Sequence, residues 1–334
     1  MPSAPPSVPA EHARDHLLLV PSDGAPSLPV LAEAWFAEVV WLRQPVVVPA
    51  PRAAAGARFR GAHAAPAEQR SPGVLRVDGE HVVVGPFPVA ADDAAALEVR
   101  GGRAADAYAV ARTDGAPPVR GPRPRSHDDR DGVARAFAAG LPQGGELRAV
   151  QWAVAVARKT GGAVLADGRT LLAPDPGGAV DLVLYAAHGL QPDDLLRAVR
   201  ALVASAVLEP RTTAPGAPLR YGVVASTPYD GELRVDVEHV DRVPRALGAL
   251  GWREYGPFAY RLRWLPPDPY ELQVERPSAL HVVARGRMRS VVARLALALR
   301  ERAGGALVDD GGFLASPDEV QARLEPGATT GAWV

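Results

Sequence analysis

A sixteen-residue segment that the chain carries twice constrains its fold more than any other feature. Residues 160–175 read TGGAVLADGRTLLAPD and residues 303–318 read AGGALVDDGGFLASPD; they align without a gap at an offset of 143, with eight of sixteen positions identical. Each copy follows a helix-like apolar run, and each run follows a β-like segment, AYAVAR at 107–112 and LHVVAR at 280–285. The unit reads as strand, helix, Gly-Gly, strand, Asp-Gly turn, strand. Such a repeat speaks to architecture and says little about chemistry.

Between the copies, residues 180–265 give a clear order: strand VDLVLYAAH, helix PDDLLRAVRALVASAV, strand LRYGVVAST, strand ELRVDVEHV, short helix VPRALGALG and strand FAYRLRWL. That is βαββαβ, the ferredoxin-like arrangement, which implies no activity. The expected fold is therefore α+β: a ferredoxin-like central unit flanked by two copies of a strand–helix–GG–hairpin unit. The expected organisation is a disordered Pro-rich start at 1–14, an N-terminal α+β domain at 15–176, the ferredoxin-like domain at 177–267 and a C-terminal unit at 268–334. Other elements read as a strand at 16–22, a helix at 28–42, a strand at 45–50, a loop at 51–73 and a hairpin at 74–85 around Asp78-Gly79. The polar, aperiodic stretch 113–132 is absent from the second copy and reads as an exposed insertion.

Composition excludes several function classes. The chain of 334 residues has a net charge of −1, so no bulk electrostatic attraction favours nucleic acid or an anionic membrane. It has no Cys, which excludes disulfides, thiolate metal sites and a cysteine nucleophile. It also lacks Ile and Asn and has Lys159 as its single lysine, the mark of GC-rich coding. The first residues lack a basic, apolar leader pattern and no run spans a membrane, so the expected location is cytoplasmic.

The motifs reduce to structure. A Gly pair directly after a helix is a C-cap; a phosphate cradle needs glycine before a helix N-terminus. Lys159-Thr160-Gly161 matches the KTG box of serine β-lactamases, but that chemistry needs a second lysine in S-x-x-K, which a single-lysine chain cannot supply. His127, Asp128, Asp129 and Asp131 form an acidic run. Read as a calcium loop, it places Ala138 where a bidentate Glu is required. This run is the alternative site, for a hydrolase or transferase acting near the 113–132 insertion. His12 and His16 lie four apart with no third ligand evident, so neither a metal nor a cofactor is expected.

The most suggestive surface lies on two strands. Phe258, Tyr260, Leu262 and Trp264 share one face, with Trp252 and Tyr255 nearby, and read as a buried aromatic core. Arg261 and Arg263 point to the other face, as do Asp236 and Glu238 on the preceding strand. In a ferredoxin-like sheet the first strand separates these two, leaving both charge types unpaired and available to a partner. The leading functional expectation is a non-catalytic binding or protein-interaction module without enzymatic activity. Its expected partner is another protein, not nucleic acid or membrane; the sequence names no catalytic residue and no oligomeric state.

Overall fold

The computed structural model describes residues 3–48, 69–116, 118–123, 129–209 and 220–325. The chain divides into two compact units, the first comprising Met1–Ala32, Phe36–Pro122 and Gly140–Ala173, the second Glu33–Trp35, Arg123–Ala139 and Pro174–Val334. Both are α+β, and each is built on a seven-stranded antiparallel sheet.

The first unit runs β1 (His16–Pro21), α1 (Leu28–Glu33), β2 (Val40–Arg43), β3 (Val46–Val48), β4 (Gln69–Ser71), β5 (Gly73–Arg76), β6 (His81–Val89), α2 (Ala91–Ala96) and β7 (Ala105–Arg112). A short helix α3 (Val133–Ala136), which belongs to the second unit, precedes α4 (Gly144–Thr160), β8 (Ala163–Ala166) and β9 (Thr170–Leu172). The sheet order is β2-β5-β6-β7-β1-β8-β9, with β3 and β4 pairing as a separate ribbon. Strand β1 is central and buried on both faces. Leu17 and Leu19 pack with Val84, Ala107, Leu165 and Leu97, while α4 packs against β1 and β8. The hairpin between β5 and β6 forms where Asp78-Gly79 predicts it, because the Asp78 carboxylate accepts from the backbone N–H of Glu80 and of His81, both at 2.7 Å.

The second unit runs β10 (Leu182–Ala186), α5 (Pro192–Arg200), β11 (Val207–Glu209), β12 (Arg220–Thr227), β13 (Gly231–His239), β14 (Phe258–Leu265), α6 (Ala279–Ala303), β15 (Ala306–Asp309), β16 (Leu314–Ala315) and α7 (Pro317–Gln321). Its sheet order is β11-β12-β13-β14-β10-β15-β16. Counting the strands of each sheet from its own first member, the two orders are the same. Period-two alternation puts Val223, Leu233, Val235, Val237, Tyr260, Leu262 and Trp264 on one face, against Leu195 and Val199 of α5 and Val292, Leu295 and Leu299 of α6.

The Gly-Gly pairs serve the same two purposes in each unit. Gly161 and Gly304 close α4 and α6 with φ of +73° and +68°. The following glycine lets the chain pass against the first strand: a Cβ on Gly162 would lie 2.0 Å from the Leu19 carbonyl oxygen, and one on Gly305 would lie 2.2 Å from that of Tyr185. Either overlap requires backbone movement in the middle of a sheet. Gly162→Ala and Gly305→Ala are therefore expected to destabilise well beyond the ~1 kcal/mol of a simple glycine C-cap replacement such as Gly161→Ala. Urea unfolding of the three variants checks the ranking; equal losses would refute the close-approach argument.

Several expectations need correction. The ferredoxin-like order places strand 181–187 between its third and fourth strands. Instead β13 pairs directly with β14, Asp236 facing Arg261, and β10 lies on the far side of β14. The segment read as a helix at 243–251 is a 3-10 turn, Arg245–Ala249, whose Leu247 packs on Tyr185, Ala259 and Val308. It caps one sheet face instead of carrying the chain over a neighbouring strand. The boundary expected at 267/268 falls inside one sheet, since β15 pairs with β10. Residues 280–285 are the first turns of α6, started by Ser278, whose side chain accepts from the His281 N–H; the strand before α6 is β14. The helix expected over 28–42 stops at Glu33, and the strand formers Val40, Trp41 and Leu42 take the sheet edge. Within the N-terminal stretch expected to be disordered, Val8 is buried in the first core and Ala10–His12 forms a 3-10 turn. Tyr260 and Trp264 are buried as expected and Phe258 partly so, but Trp252 is 75% exposed, with the Arg253 guanidinium over its ring. Among the described residues, no helix is long and apolar enough to cross a membrane.

Candidate functional site

The first unit gathers His16, Glu146 and Asp167 into one cluster, with ligand-type atoms within 4.8 Å of one another. Each comes from a different element. His16 begins β1, Glu146 lies in the first turn of α4, and Asp167 sits in the β8–β9 turn with φ of +50°. Asp167 is the aspartate of the first repeat's Asp-Gly pair. The left-handed conformation aims its N–H at His16 Nδ1, 3.1 Å away. Asp and Asn tolerate that conformation better than most residues.

The hydrogen bonds define the tautomer. Nδ1 accepts from the Asp167 N–H, so Nε2 carries the proton and donates to Glu146 Oε1 at 3.2 Å. Arg120 completes the cluster, donating through Nη1 to Glu146 and through Nη2 to both Asp167 oxygens at 2.8 and 3.0 Å. Burial of Glu146 raises its pKa, but the hydrogen bonds from His16 and Arg120 outweigh it and hold the carboxyl below its usual range. Burial likewise opposes the charge on Arg120, and the two carboxylates reverse that effect.

This arrangement does not suit a metal or a general base. With Nδ1 accepting and Nε2 protonated, His16 has no lone pair to offer, and the Arg120 guanidinium lies where a cation would neutralise the carboxylates. The chemistry is that of a partly buried, mutually hydrogen-bonded ion cluster. Sequence reading grouped His16 with His12, which instead bonds Asp15 at 2.8 Å. It missed the cluster because Glu146 and Asp167 are remote in sequence. The available signal was a histidine opening an otherwise apolar buried strand. His81 is a second buried histidine. Asp78 holds its Nδ1 at 3.1 Å, its Nε2 has no hydrogen-bond partner among the described residues, and its ring lies against Gly145.

In the second unit the positions offset by 143 from Glu146 and Asp167 are Arg289 and Asp310. There the arginines hold the chain entering β10: Arg289 donates to the Ala179 carbonyl at 3.3 Å, Arg323 to that of Val180 at 3.4 Å, and Arg285 pairs with Asp175. Nearby Asp181 accepts from the Trp264 N–H at 2.9 Å. Burial pushes its pKa up to about 6 against that hydrogen bond, with the Asp310 charge adding to the rise. A raised acid pKa means that the fold favours the protonated form. That contribution is fully present below the usual aspartate pKa and is lost as pH rises through about 6. Asp181→Asn is thus expected to be the more stable protein at pH 7, by on the order of 2 kcal/mol, and to lose that advantage towards pH 4. Calorimetry across that range checks this; a constant difference would place the titration elsewhere.

The surface residues expected to bind a partner are engaged with one another. Arg261 donates to Glu238 at 2.8 Å, Arg263 to Asp236, and Arg234 to Glu209 at 2.6 Å. Asp236 is 5% exposed. Direct pairing of β13 with β14 brings these charges together, overturning the expectation that both signs stay free. In the acidic run, His127 and Asp128 lie outside the described residues. Asp129 accepts from the backbone N–H of Ala134 at 2.6 Å and Arg135 at 3.1 Å, which starts α3. Asp131 lies 4.0 Å from Arg130.

No family model matches the chain, and comparisons with curated proteins and with solved structures give no significant match.

Proposed function

We propose that the protein is a non-catalytic protein-interaction module built from two copies of one fold unit. The shared strand order and the shared roles of the glycine pairs support the duplication. One observation carries the binding function: β2 and β3 of the first unit expose four apolar residues within a short stretch of chain, Val40 at 43%, Leu42 at 57%, Val46 at 55% and Val47 at 54%. Exposed apolar side chains gathered on neighbouring strands mark a candidate site of association. The self-satisfied His16 cluster further favours a binder over an enzyme. The second reading, a hydrolase or transferase near the 113–132 insertion, rests on Arg120, which brings that insertion to Glu146 and Asp167.

Leu42→Glu with Val47→Glu should leave the melting temperature unchanged and abolish capture of any protein partner by immobilised wild-type chain. Undiminished capture would move the binding surface elsewhere. Turnover of ester or phosphoester probes that is lost in Arg120→Ala would favour the enzyme.

A further inference from the structure

The strip in question is an edge as well as an apolar patch. Among the described residues, strand β2 is the outermost strand of its sheet, bonded to β5 on one side and to no strand on the other. An open edge of this kind is a template for one more strand, and its backbone groups select an extended segment over a helix. The charges around it select which segment. Glu38 and Arg43 are both exposed, and neither has an ion-pair partner among the described residues. They flank Val39, Val40, Trp41 and Leu42 with opposite signs.

Strand parity decides whether one copy can meet another. In the ladder with β5, Trp41 pairs with Leu75 and Arg43 with the adjacent Val74, so Leu42 is the extra residue of a bulge. Arg43 therefore returns to the sheet face that Val40 occupies. Residues 38 and 39 precede β2 outside any helix or strand, and a strand added at this edge would draw them into extended backbone, with Glu38 two residues before Val40 and on its face. Antiparallel pairing of two β2 edges about a two-fold axis at Val40 sets Val40 against its own copy. It sets Val39 against Trp41 and Glu38 against Arg43, the last pair occurring twice. A self-complementary edge is what an isologous interface requires.

We propose that β2 is a homodimerisation edge, occupied by the β2 strand of a second copy, with reciprocal Glu38–Arg43 ion pairs fixing the register. This inference rests on the protein-interaction reading and names the partner. The test is native mass spectrometry and light scattering of the full chain over a concentration series, with melting curves to confirm folding. The wild type is expected to be a dimer. Arg43→Glu, which places like charges opposite each other, should weaken the dimer by about tenfold or more. The double variant Glu38→Arg/Arg43→Glu should restore it. A wild type monomeric at 100-fold above its working concentration overturns the proposal, as does a dimer indifferent to Arg43→Glu or unrescued by the double variant. If the monomer still captures another protein through Leu42 and Val47, the interaction reading survives and only the self-pairing fails.

Discussion

Glu146→Ala is expected to destabilise the first unit by about 3 kcal/mol, the scale seen when one partner of a buried ion pair is removed. The Glu146 side chain is 6% exposed, and its loss removes the carboxylate oxygen that accepts from both His16 Nε2 and Arg120 Nη1. At ~3 °C per kcal/mol for a unit of this size, the melting temperature should fall by roughly 10 °C. Glu146→Gln keeps an acceptor and should lose less. Acid provides an independent check. The folded-state pKa of Glu146 is depressed, so its contribution is present above the usual glutamate range and lost as pH falls through it. Wild type should lose stability below about pH 4.5 more steeply than Glu146→Gln. Parallel pH profiles would show that the carboxylate's charge contributes nothing.

The second large effect is expected at Trp152. Its side chain is fully buried on α4, its indole N–H donates to the Leu31 carbonyl at 2.9 Å, and its ring meets Phe36 edge-on at 5.7 Å. Trp152→Ala removes the largest buried side chain of the first unit and should cost about 4 kcal/mol. Trp152→Phe keeps most of the apolar contact but orphans the Leu31 carbonyl, with an expected loss of roughly 1–3 kcal/mol. Chemical denaturation of both variants separates packing from hydrogen bonding. If the two lose the same amount, the hydrogen bond is the dominant contribution and the cavity argument fails.

What could be read from the chain alone follows from the range of the forces involved. The Asp78-Gly79 hairpin, the Gly161 and Gly304 helix ends and strand β14 are written in neighbouring residues, and all are present. The second glycine of each pair was legible as a glycine but not in its purpose, which depends on the Leu19 and Tyr185 carbonyls far along the chain. LHVVAR has the β-branched character of a strand, yet a capped helix overrides local preference there. Strand β11 is three residues at a sheet edge, too short to leave a period. Which side of β14 would receive β10 is a global choice with no local code, and the pairing of Arg261 and Arg263 with Glu238 and Asp236 depends on it. The His16 cluster was hidden for the same reason: its members share no sequence window.

The central position of each unit's first strand has a consequence during synthesis. β1 gains β7 as a neighbour only after most of the unit has emerged, and β8 later still; β10 likewise waits for β14 and then β15. Until its final hairpin is made, each half exposes an apolar edge to the crowded exit of the ribosome. The loop-closure entropy of both late pairings must be overcome before the core is sealed, which makes each unit a slow, high-contact-order folder. The close-fitting glycines sit at that last step, where the chain slides against a strand laid down long before.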